Sequence, residues 1–362
     1  HGAAGMGATV AMIEPNHPGG DCLWSGCVPS KRLLAAGHAA HVMRTAGRHG
    51  ITAVEPKVDF TAVMAQVKVT QDRIAHHDSV ERLENAGVDV IPMMGKFIGD
   101  GEIDTGGQTI RYRKAMIATG ATPVVPAIPG LRESNPLTSD TVWGLKELPI
   151  RLVVVGGGAI GCELGQAFSR LGSEVTLVEA TPRILGMLGE NVSELIATRF
   201  QDEGITVLQG AKVTSVEGSA SAGNLVVIVD NETRIEADHV LVAVGRRPTT
   251  ANLNLGAVGV ALTDSGHVEV DDKLKTTNDH IYAGGDVVGK MPFTHTAGMH
   301  GSLVVSNALF GLRRKADHLR IPYAIFCDPE VASVGRITPK GNENLTISHF
   351  DYQQLDRQVT TG

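Results

Sequence analysis

The sequence predicts an α/β fold with parallel sheets, and three observations support that class. Two apolar strands end in an acid, at residues 8–14 and 174–179. A glycine-rich turn at 156–161 stands between a strand and a helix, and several of the 43 glycines follow other predicted strands. Strand, glycine turn, helix, strand and terminal acid, in that order, are typical of a Rossmann-like dinucleotide-binding unit.

The composition of the chain limits which classes of function are possible. The chain has 362 residues, of which 42% are hydrophobic and 20% charged, as in a globular protein of two or three domains. Its net charge of -7 argues against a nucleic-acid partner. No apolar run approaches the roughly 20 residues of a membrane helix. Four cysteines do not make a disulfide scaffold in a chain of this length. We therefore expect a cytoplasmic protein with no membrane partner.

Residues 19–31 read Gly-Gly-Asp-Cys-Leu-Trp-Ser-Gly-Cys-Val-Pro-Ser-Lys, with Cys22 and Cys27 where an extended run turns into a helix. Pro29 suits the first turn of that helix. Free amides and the helix dipole favour a thiolate there, so the pair can cycle between disulfide and dithiol. The alternatives are half of a zinc site or two buried thiols. Zinc needs four ligands, and Cys162 and Cys327 lie far away with no paired spacing.

The phrase resembles the active-site signature of the class I flavoprotein disulfide reductases, which include dihydrolipoamide dehydrogenase, glutathione reductase and mercuric reductase. The resemblance implies that Cys22 exchanges with substrate and that Cys27 lies against the flavin as a charge-transfer thiolate. It also implies that Lys31 lies near the flavin and pairs with Glu163. Gly20 and Asp21, within the same phrase, are then cofactor-binding residues.

The first third of the chain is interpreted as part of an FAD domain. The strand at 8–14 ends in Glu14, which either contacts the FAD ribose or is a solvated acid. The resemblance implies about thirty preceding residues with a first strand and glycine loop. Helices are predicted at 31–46 and 60–86, a β meander at 88–113 and a strand at 114–120 that ends at Thr119 and Gly120, beside FAD in relatives. Histidines 38, 41, 49, 76 and 77 have no acid or cysteine at metal spacing, so surface or capping positions are expected and no metal site is predicted.

Residues 151–250 are interpreted as the NAD domain. Gly156 permits the tight turn, Gly158 lets the backbone approach a pyrophosphate, and Gly161 allows close packing of helix on strand. Glu179 favours NADH over NADPH because a carboxylate binds ribose hydroxyls and repels a 2′-phosphate; Arg183 could reach back toward that phosphate. A helix at 181–204 and strands at 204–209, 211–216 and 240–245 follow. By resemblance, Val213 and Gly245 line the nicotinamide nucleotide.

Residues 278–286, Asn-Asp-His-Ile-Tyr-Ala-Gly-Gly-Asp, resemble the second FAD fingerprint of the family. The resemblance implies that Asp286 binds the flavin ribityl chain and that the helix beginning at Thr294 faces the flavin. Residues 323–335 resemble the opening of the dimer-interface domain. The His-Pro…Glu pair that supplies a proton from the partner subunit cannot be located before Gly362, and 335–344 looks shorter than in relatives. Either the sequence is truncated or the protein lacks the usual proton donor, and we expect truncation.

These interpretations combine into one expectation. The fold is α/β, with two Rossmann-like dinucleotide-binding domains and an incomplete α+β dimer-interface domain, divided at 1–150 (FAD), 151–250 (NAD), 251–320 (FAD) and 321–362 (interface). The function is electron transfer between NAD(P)H, FAD and the Cys22–Cys27 pair, acting on a small or protein-bound disulfide or dithiol, in a homodimer. The cofactors are FAD and NAD(H). Alternatives are a mercuric-ion reductase and a non-catalytic nucleotide-binding scaffold.

Overall fold

The computed structural model describes residues 1–335, 346, 348, 350, 351 and 354–356. In this part of the chain the α-helices are α1 (Gly2–Gly5), α2 (Gly20–Trp24), α3 (Cys27–Thr45), α4 (Phe60–Ala75), α5 (Val80–Asn85), α6 (Ala159–Leu171), α7 (Glu190–Asp202) and α8 (Thr294–Phe310). The strands are β1 (Val10–Ile13), β2 (Val88–Ile91), β3 (Lys96–Gly99), β4 (Glu102–Asp104), β5 (Thr109–Arg111), β6 (Ala115–Ile117), β7 (Ala121–Pro123), β8 (Arg151–Val155), β9 (Glu174–Glu179), β10 (Thr206–Gln209), β11 (Val213–Glu217), β12 (Leu225–Val229), β13 (Thr233–Ala237), β14 (His239–Val242), β15 (Arg246–Pro248), β16 (Ile281–Ala283), β17 (Pro322–Ile325) and β18 (Val331–Val334).

A parallel sheet of order β10-β9-β8-β14 forms the centre of the nucleotide unit. Its strand β8 is covered on both faces, as its uninterrupted apolar run predicts. Leu152 and Val154 join one core with Phe168 of α6, whereas Val153 and Val155 join a second core. The antiparallel sheet β11-β12-β13 contributes to that second core, so the predicted Rossmann unit is confirmed as a sheet covered on both faces.

Smaller sheets surround this unit. β1 pairs in parallel with β2, and β16 pairs in parallel with β6. β3, β4 and β5 form an antiparallel sheet, and β15 pairs antiparallel with β7. Helix α3 packs directly on α6, where a Cβ added at Gly37 would lie 3.2 Å from the carbonyl oxygen of Ala167. The cysteine-bearing helix and the nucleotide-unit helix are therefore in backbone-close contact.

Two predicted helices are shorter than the sequence pattern suggested. The helix predicted at 60–86 is interrupted because Ser79 takes an extended conformation and accepts the Arg82 N–H at 3.2 Å, which begins α5. The helix predicted at 181–204 begins only at Glu190. Pro182 lacks an N–H donor and Gly189 is extended at the N-cap, so residues 181–189 form turns.

The predicted helix with Pro29 in its first turn begins at Cys27, where the Ser30 N–H bonds to the Gly26 carbonyl at 3.0 Å. Other expectations about strands need correction. The meander predicted at 88–113 does not include β2, which pairs in parallel with β1. Strands β12 and β13 were not predicted. Residues 336–345, most of the stretch expected to be short, lie outside the described residues.

Candidate active site

Cys22 and Cys27 lie on two consecutive helices and are both free thiols. Each thiol is the largest influence on the pKa of the other, and Cys27 Sγ lies 3.1 Å from Thr294 Oγ1 at the start of α8. Gly26 makes this turn possible, because a Cβ there would lie 2.9 Å from the Asp21 carbonyl oxygen. The structure thus brings together the predicted cysteine pair and the predicted helix start at Thr294.

The negative charge of this pair is concentrated on Cys27. A hydrogen bond from Cys22, a second from Thr294 and the charge of Lys31 together lower the pKa of Cys27 to about 6, although burial opposes them. The same contact with Cys27, together with burial, raises the pKa of Cys22. Cys22 therefore holds the shared proton while Cys27 is a thiolate near neutral pH.

The predicted pair of Lys31 and Glu163 is confirmed. Lys31 Nζ donates to Glu163 Oε2 at 2.8 Å, and the backbone N–H of Phe326 donates to Glu163 Oε1 at 2.9 Å. Lys31 Nζ also lies 4.4 Å from the ring centroid of Phe326. Glu163 is buried and satisfied by two donors, so its charge is paired as a buried charge must be.

The geometry of the glycine turn supports the roles predicted for Gly156 and Gly161, while the approach of a pyrophosphate at Gly158 stays a prediction. Gly156 has φ +109°, and a Cβ there would lie 2.5 Å from the Ala243 carbonyl oxygen. At Gly161 a Cβ would lie 1.9 Å from the Gly156 carbonyl oxygen, so only glycine fits between helix and strand. A Cβ at Gly158 would point into open space, the side from which a pyrophosphate can approach the backbone.

Glu179 ends β9 beside this turn. Its two carboxylate oxygens accept the backbone N–H groups of Gly157 and Thr181, each at 2.6 Å. Each carboxylate oxygen has a second lone pair, so Glu179 keeps capacity to accept from a ribose hydroxyl. These hydrogen bonds thus fix the orientation of the Glu179 carboxylate beside the glycine turn.

A continuous cleft of about 3640 Å³ runs past the cysteines. The predicted site residues that line it are Glu14, Gly20, Asp21, Cys22, Cys27, Lys31, Thr119, Gly120, Gly158, Glu163, Gly245, Asp286 and Thr294. Gly156, Gly161, Glu179 and Val213 do not line it. Val213 instead packs in the core of the nucleotide unit.

Asp286 lines this cleft with a half-buried carboxylate. Among the described residues no group donates a hydrogen bond to its carboxylate, and burial raises its pKa. Thr119, by contrast, donates to the Thr249 carbonyl at 2.7 Å, and Glu14 accepts the Asn16 N–H at 3.0 Å. A hydroxyl-bearing ligand in the cleft would supply the donor that Asp286 lacks.

Comparison with known proteins identifies the fold family. The model of the pyridine nucleotide-disulphide oxidoreductase family matches residues 1–301. The chain belongs to this family. The family prediction made from the cysteine phrase is therefore confirmed, as is the mixed α/β fold with Rossmann-like units.

Relatives of this chain include a mercuric reductase of Bacillus cereus, 36% identical over 94% of the chain and 54% of the relative. A dihydrolipoyl dehydrogenase of Chlamydia muridarum is 33% identical over 99% of the chain and 78% of the relative. The chain thus spans 54% to 62% of the first mercuric reductases it matches.

Among solved structures, the HOCl-induced flavoprotein disulfide reductase RclA of Escherichia coli, as a Cu(II) complex, superposes with a TM-score of 0.82. It is 29% identical, over 92% of this chain and 73% of that one. LpdA of Mycobacterium tuberculosis superposes with a TM-score of 0.81 at 26% identity, over 92% of this chain and 74% of that one. None of the helices in the described part of the chain has the length and hydropathy that crossing a bilayer requires.

The expectation for His41 was wrong. His41 is buried rather than at the surface, and its ring nitrogen lies within 4.8 Å of carboxylate oxygens of Glu203 and Asp328. These acids come from distant parts of the chain, so sequence spacing could not reveal them. Arg170 pairs with both acids, at 2.6 and 2.8 Å, and Arg199 pairs with Glu203. The guanidinium groups balance the acids, and the cluster is an ion network.

Sequence reasoning also missed residues that border the cysteines. Arg246 forms an ion pair with Asp21 and donates to Ser139 Oγ at 3.1 Å. Gln71 and Trp143 donate hydrogen bonds to backbone carbonyls of the cysteine loop. No pattern in the sequence connects Arg246, Gln71 or Trp143 to the cysteines.

Proposed function

We propose that this chain belongs to an FAD-dependent oxidoreductase that passes electrons between NAD(H) and a disulfide or dithiol substrate through Cys22 and Cys27. The observation that carries the proposal is the thiol pair in contact at the cleft, with its charge on Cys27 and Thr294 against that sulfur. A non-catalytic scaffold would have no use for so asymmetric a pair of thiols.

The cleft residues fit a dinucleotide. Asp286 offers a half-buried carboxylate without a donor among the described residues, and Gly158 offers backbone where a Cβ would be free of contacts. Glu14, Asp286 and Lys31 would hold FAD, together with Gly20, Asp21, Thr119, Gly120 and Thr294. Gly156, Gly158, Gly161, Glu179, Val213 and Gly245 would form the NAD(H) site. FAD, when bound, supplies the two-electron link between a nicotinamide hydride and the disulfide.

The cysteines can complete the thiol chemistry in two exchange steps. Cys22 gives up its proton as its sulfur attacks one sulfur of the substrate disulfide, which forms a mixed disulfide, and the released substrate thiolate takes up that proton. The Cys27 thiolate then attacks Cys22 Sγ, which closes the Cys22–Cys27 disulfide and releases the second substrate sulfur as a thiolate, which water protonates. The substrate gains two electrons and the cysteine pair loses two. Dithiol oxidation uses the same steps in reverse.

Charge placement supports this order. Thr294 and Lys31 stabilise the thiolate at Cys27, the residue that must wait while Cys22 reacts with substrate. Glu163 holds Lys31 at 2.8 Å and so fixes the cation that contributes to this stabilisation. By resemblance to the family, the proton donor comes from a partner subunit. The proposal therefore includes a homodimer. It also includes a cytoplasmic location and the division of the chain into domains at 1–150, 151–250, 251–320 and 321–362.

NADH is the proposed nicotinamide donor. Glu179 presents a fixed carboxylate beside the glycine turn, which favours ribose hydroxyls over a 2′-phosphate. Thr181, two residues on, engages the same carboxylate through its backbone rather than offering a cation.

The test is spectral and uses two matched variants in FAD-loaded protein. Cys22→Ser leaves the Cys27 thiolate beside the flavin, so the oxidised protein should show a long-wavelength charge-transfer band. Cys27→Ser should show none, even after two-electron reduction. A plain flavin spectrum in Cys22→Ser would reverse or remove the assigned roles.

A second candidate is reduction of mercuric ion, favoured by one observation: the mercuric reductases compared are 34% to 36% identical to the chain, slightly above the dihydrolipoyl dehydrogenases at 31% to 33%. A panel of lipoamide, glutathione disulfide and mercuric ion with NADH separates the two. Turnover of mercuric ion without turnover of any disulfide would replace the first candidate by the second.

A further inference from the structure

The loop between the two cysteines is held by side chains from outside it. Gln71 Nε2, on α4, donates to the carbonyl oxygens of Leu23 at 3.1 Å and Trp24 at 2.9 Å. Trp143 Nε1 donates to the carbonyl oxygen of Ser25 at 3.0 Å. Three successive carbonyl groups between the cysteines therefore each accept a hydrogen bond from one of two side chains.

These carbonyls need external donors because of where α2 ends. The helix has five residues, so the carbonyls in its last turn have no intrahelical partner. The Ser25 and Gly26 N–H groups both bond to the Asp21 carbonyl instead, at 2.9 and 2.5 Å. Gln71 is buried, 7% exposed, so its amide and the carbonyls it meets are shielded from water.

Trp143 is itself anchored outside the loop. Its Nε1–H is shared with the Ser139 carbonyl at 2.7 Å, within the segment that also bonds Arg246 through Ser139 Oγ. Gln71 lies on the opposite side, on a helix capped by Asp59. The peptide planes that connect the cysteines are thus fixed from two separate parts of the fold.

We propose that Gln71 and Trp143 are positioning residues that fix the span between Cys22 and Cys27 and so set the dithiol–disulfide equilibrium of the pair. The proposal rests on the proposed function, because it concerns the same two thiols. Neither residue forms a hydrogen bond with either sulfur; their bonds to the cysteine loop go to its carbonyl oxygens. Both act through the backbone of the loop.

The direction of the effect follows from chain entropy. The clamped loop keeps the reduced thiols in contact, so little freedom is lost when the disulfide closes. Without a clamp the loop samples conformations in which the sulfurs are apart, and closure then costs more entropy. Loss of either donor should therefore make the disulfide easier to reduce.

The experiment compares three single variants in FAD-loaded protein. Gln71→Met keeps the chain length of glutamine but donates no hydrogen bond, and Trp143→Phe removes the indole donor while keeping an aromatic ring. Trp24→Phe is the matched control, because Trp24 Nε1 donates to Pro18, which precedes the loop. Each protein is equilibrated in glutathione buffers, alkylated, and its Cys22 and Cys27 peptides are quantified by mass spectrometry. The reaction converts protein dithiol and glutathione disulfide into protein disulfide and two glutathione thiols.

We expect Gln71→Met and Trp143→Phe each to lower this equilibrium constant about fivefold, or about 20 mV at about 30 mV per tenfold change. The equilibrium constant of Trp24→Phe should stay within about twofold of the wild-type value, because the hydrogen bond that it removes does not restrain the loop between the cysteines. The FAD content and the thermal midpoint of each variant are measured in parallel. If Gln71→Met does not fold, the comparison of Trp143→Phe with Trp24→Phe decides.

Two results would overturn the proposal: both variants within about twofold of wild type, or an equal shift in Trp24→Phe, which would indicate general packing. Absence of any Cys22–Cys27 disulfide in wild type is a different failure. It would remove the proposed function itself.

Discussion

Replacement of Lys31 by methionine tests whether burial makes its ion pair with Glu163 contribute measurably to folding stability. Methionine keeps the length of the aliphatic chain and removes the charge. Glu163 would then stay buried, with the Phe326 N–H as its remaining donor. A buried carboxylate that has lost its cation is costly, whereas a surface carboxylate is solvated by water.

The magnitude follows from exposure. Breaking a fully buried pair costs about 3–5 kcal/mol, and an exposed pair is worth about 0–1 kcal/mol. The side chain of Glu163 is 9% exposed and that of Lys31 is 37% exposed. Because solvent screens Lys31 in part, we expect a loss of about 2 kcal/mol, which lowers the thermal midpoint by about 4–8 °C for a domain of this size.

Lys68 offers a matched control in the same protein. It also pairs with a carboxylate at 2.8 Å, that of Asp72, and also lies over an aromatic ring, that of Trp24, but its side chain is 62% exposed. Lys68→Met should lower the thermal midpoint by less than about 2 °C. Differential scanning calorimetry measures both variants.

A double variant sharpens the test. Glu163→Gln removes the unpaired charge that Lys31→Met leaves behind, so Lys31→Met/Glu163→Gln should be more stable than Lys31→Met alone. If Lys31→Met costs no more than Lys68→Met, or if the double variant is the least stable of all, burial does not govern this pair.

Three further predictions concern the thiolate and the nucleotide unit. In reduced protein the absorbance of the Cys27 thiolate should titrate with a midpoint near pH 6, and Thr294→Val should raise that midpoint. This pKa lies below the ordinary thiol value of 9.0. The thiolate's contribution to folding stability is therefore complete above pH 9 and is lost as the pH falls through about 6. Gly158→Ala should fold and bind NADH more weakly by calorimetry, whereas Gly161→Ala, with a Cβ 1.9 Å from a carbonyl oxygen, should fail to fold. Catalytic efficiency should favour NADH over NADPH, and Glu179→Arg should reverse the order; an NADPH preference in wild type contradicts the assignment.

The sequence predicted what depends on contiguous residues. The turn at Gly156 and Gly161 could be predicted because backbone geometry there excludes every other side chain, and that exclusion leaves a local pattern. The cysteine phrase was equally informative, since Cys27 opens a helix only when small residues such as Gly26 precede it. The pairing of Lys31 with Glu163 came from resemblance, because their separation in sequence carries no physical signal.

What could not be predicted depends on contacts between distant segments. His41 looked like a surface histidine because its partners, Glu203 and Asp328, lie on other elements. The hydrogen bonds from Gln71 and Trp143 meet backbone atoms, and a backbone acceptor has no sequence identity. The predicted helix ends were wrong for a related reason. Ser79 takes an extended backbone conformation within a stretch whose residue pattern is otherwise helical.

Helices α3 and α8 begin at Cys27 and Thr294, and these two starting residues touch. Part of the field at the sulfur therefore comes from peptide groups, which every residue except proline shares. No exchange of one side chain for another removes that part. Relatives that share only about a third of their residues with this chain can accordingly vary the side chains around the thiolate widely, as long as both helices still begin where they do.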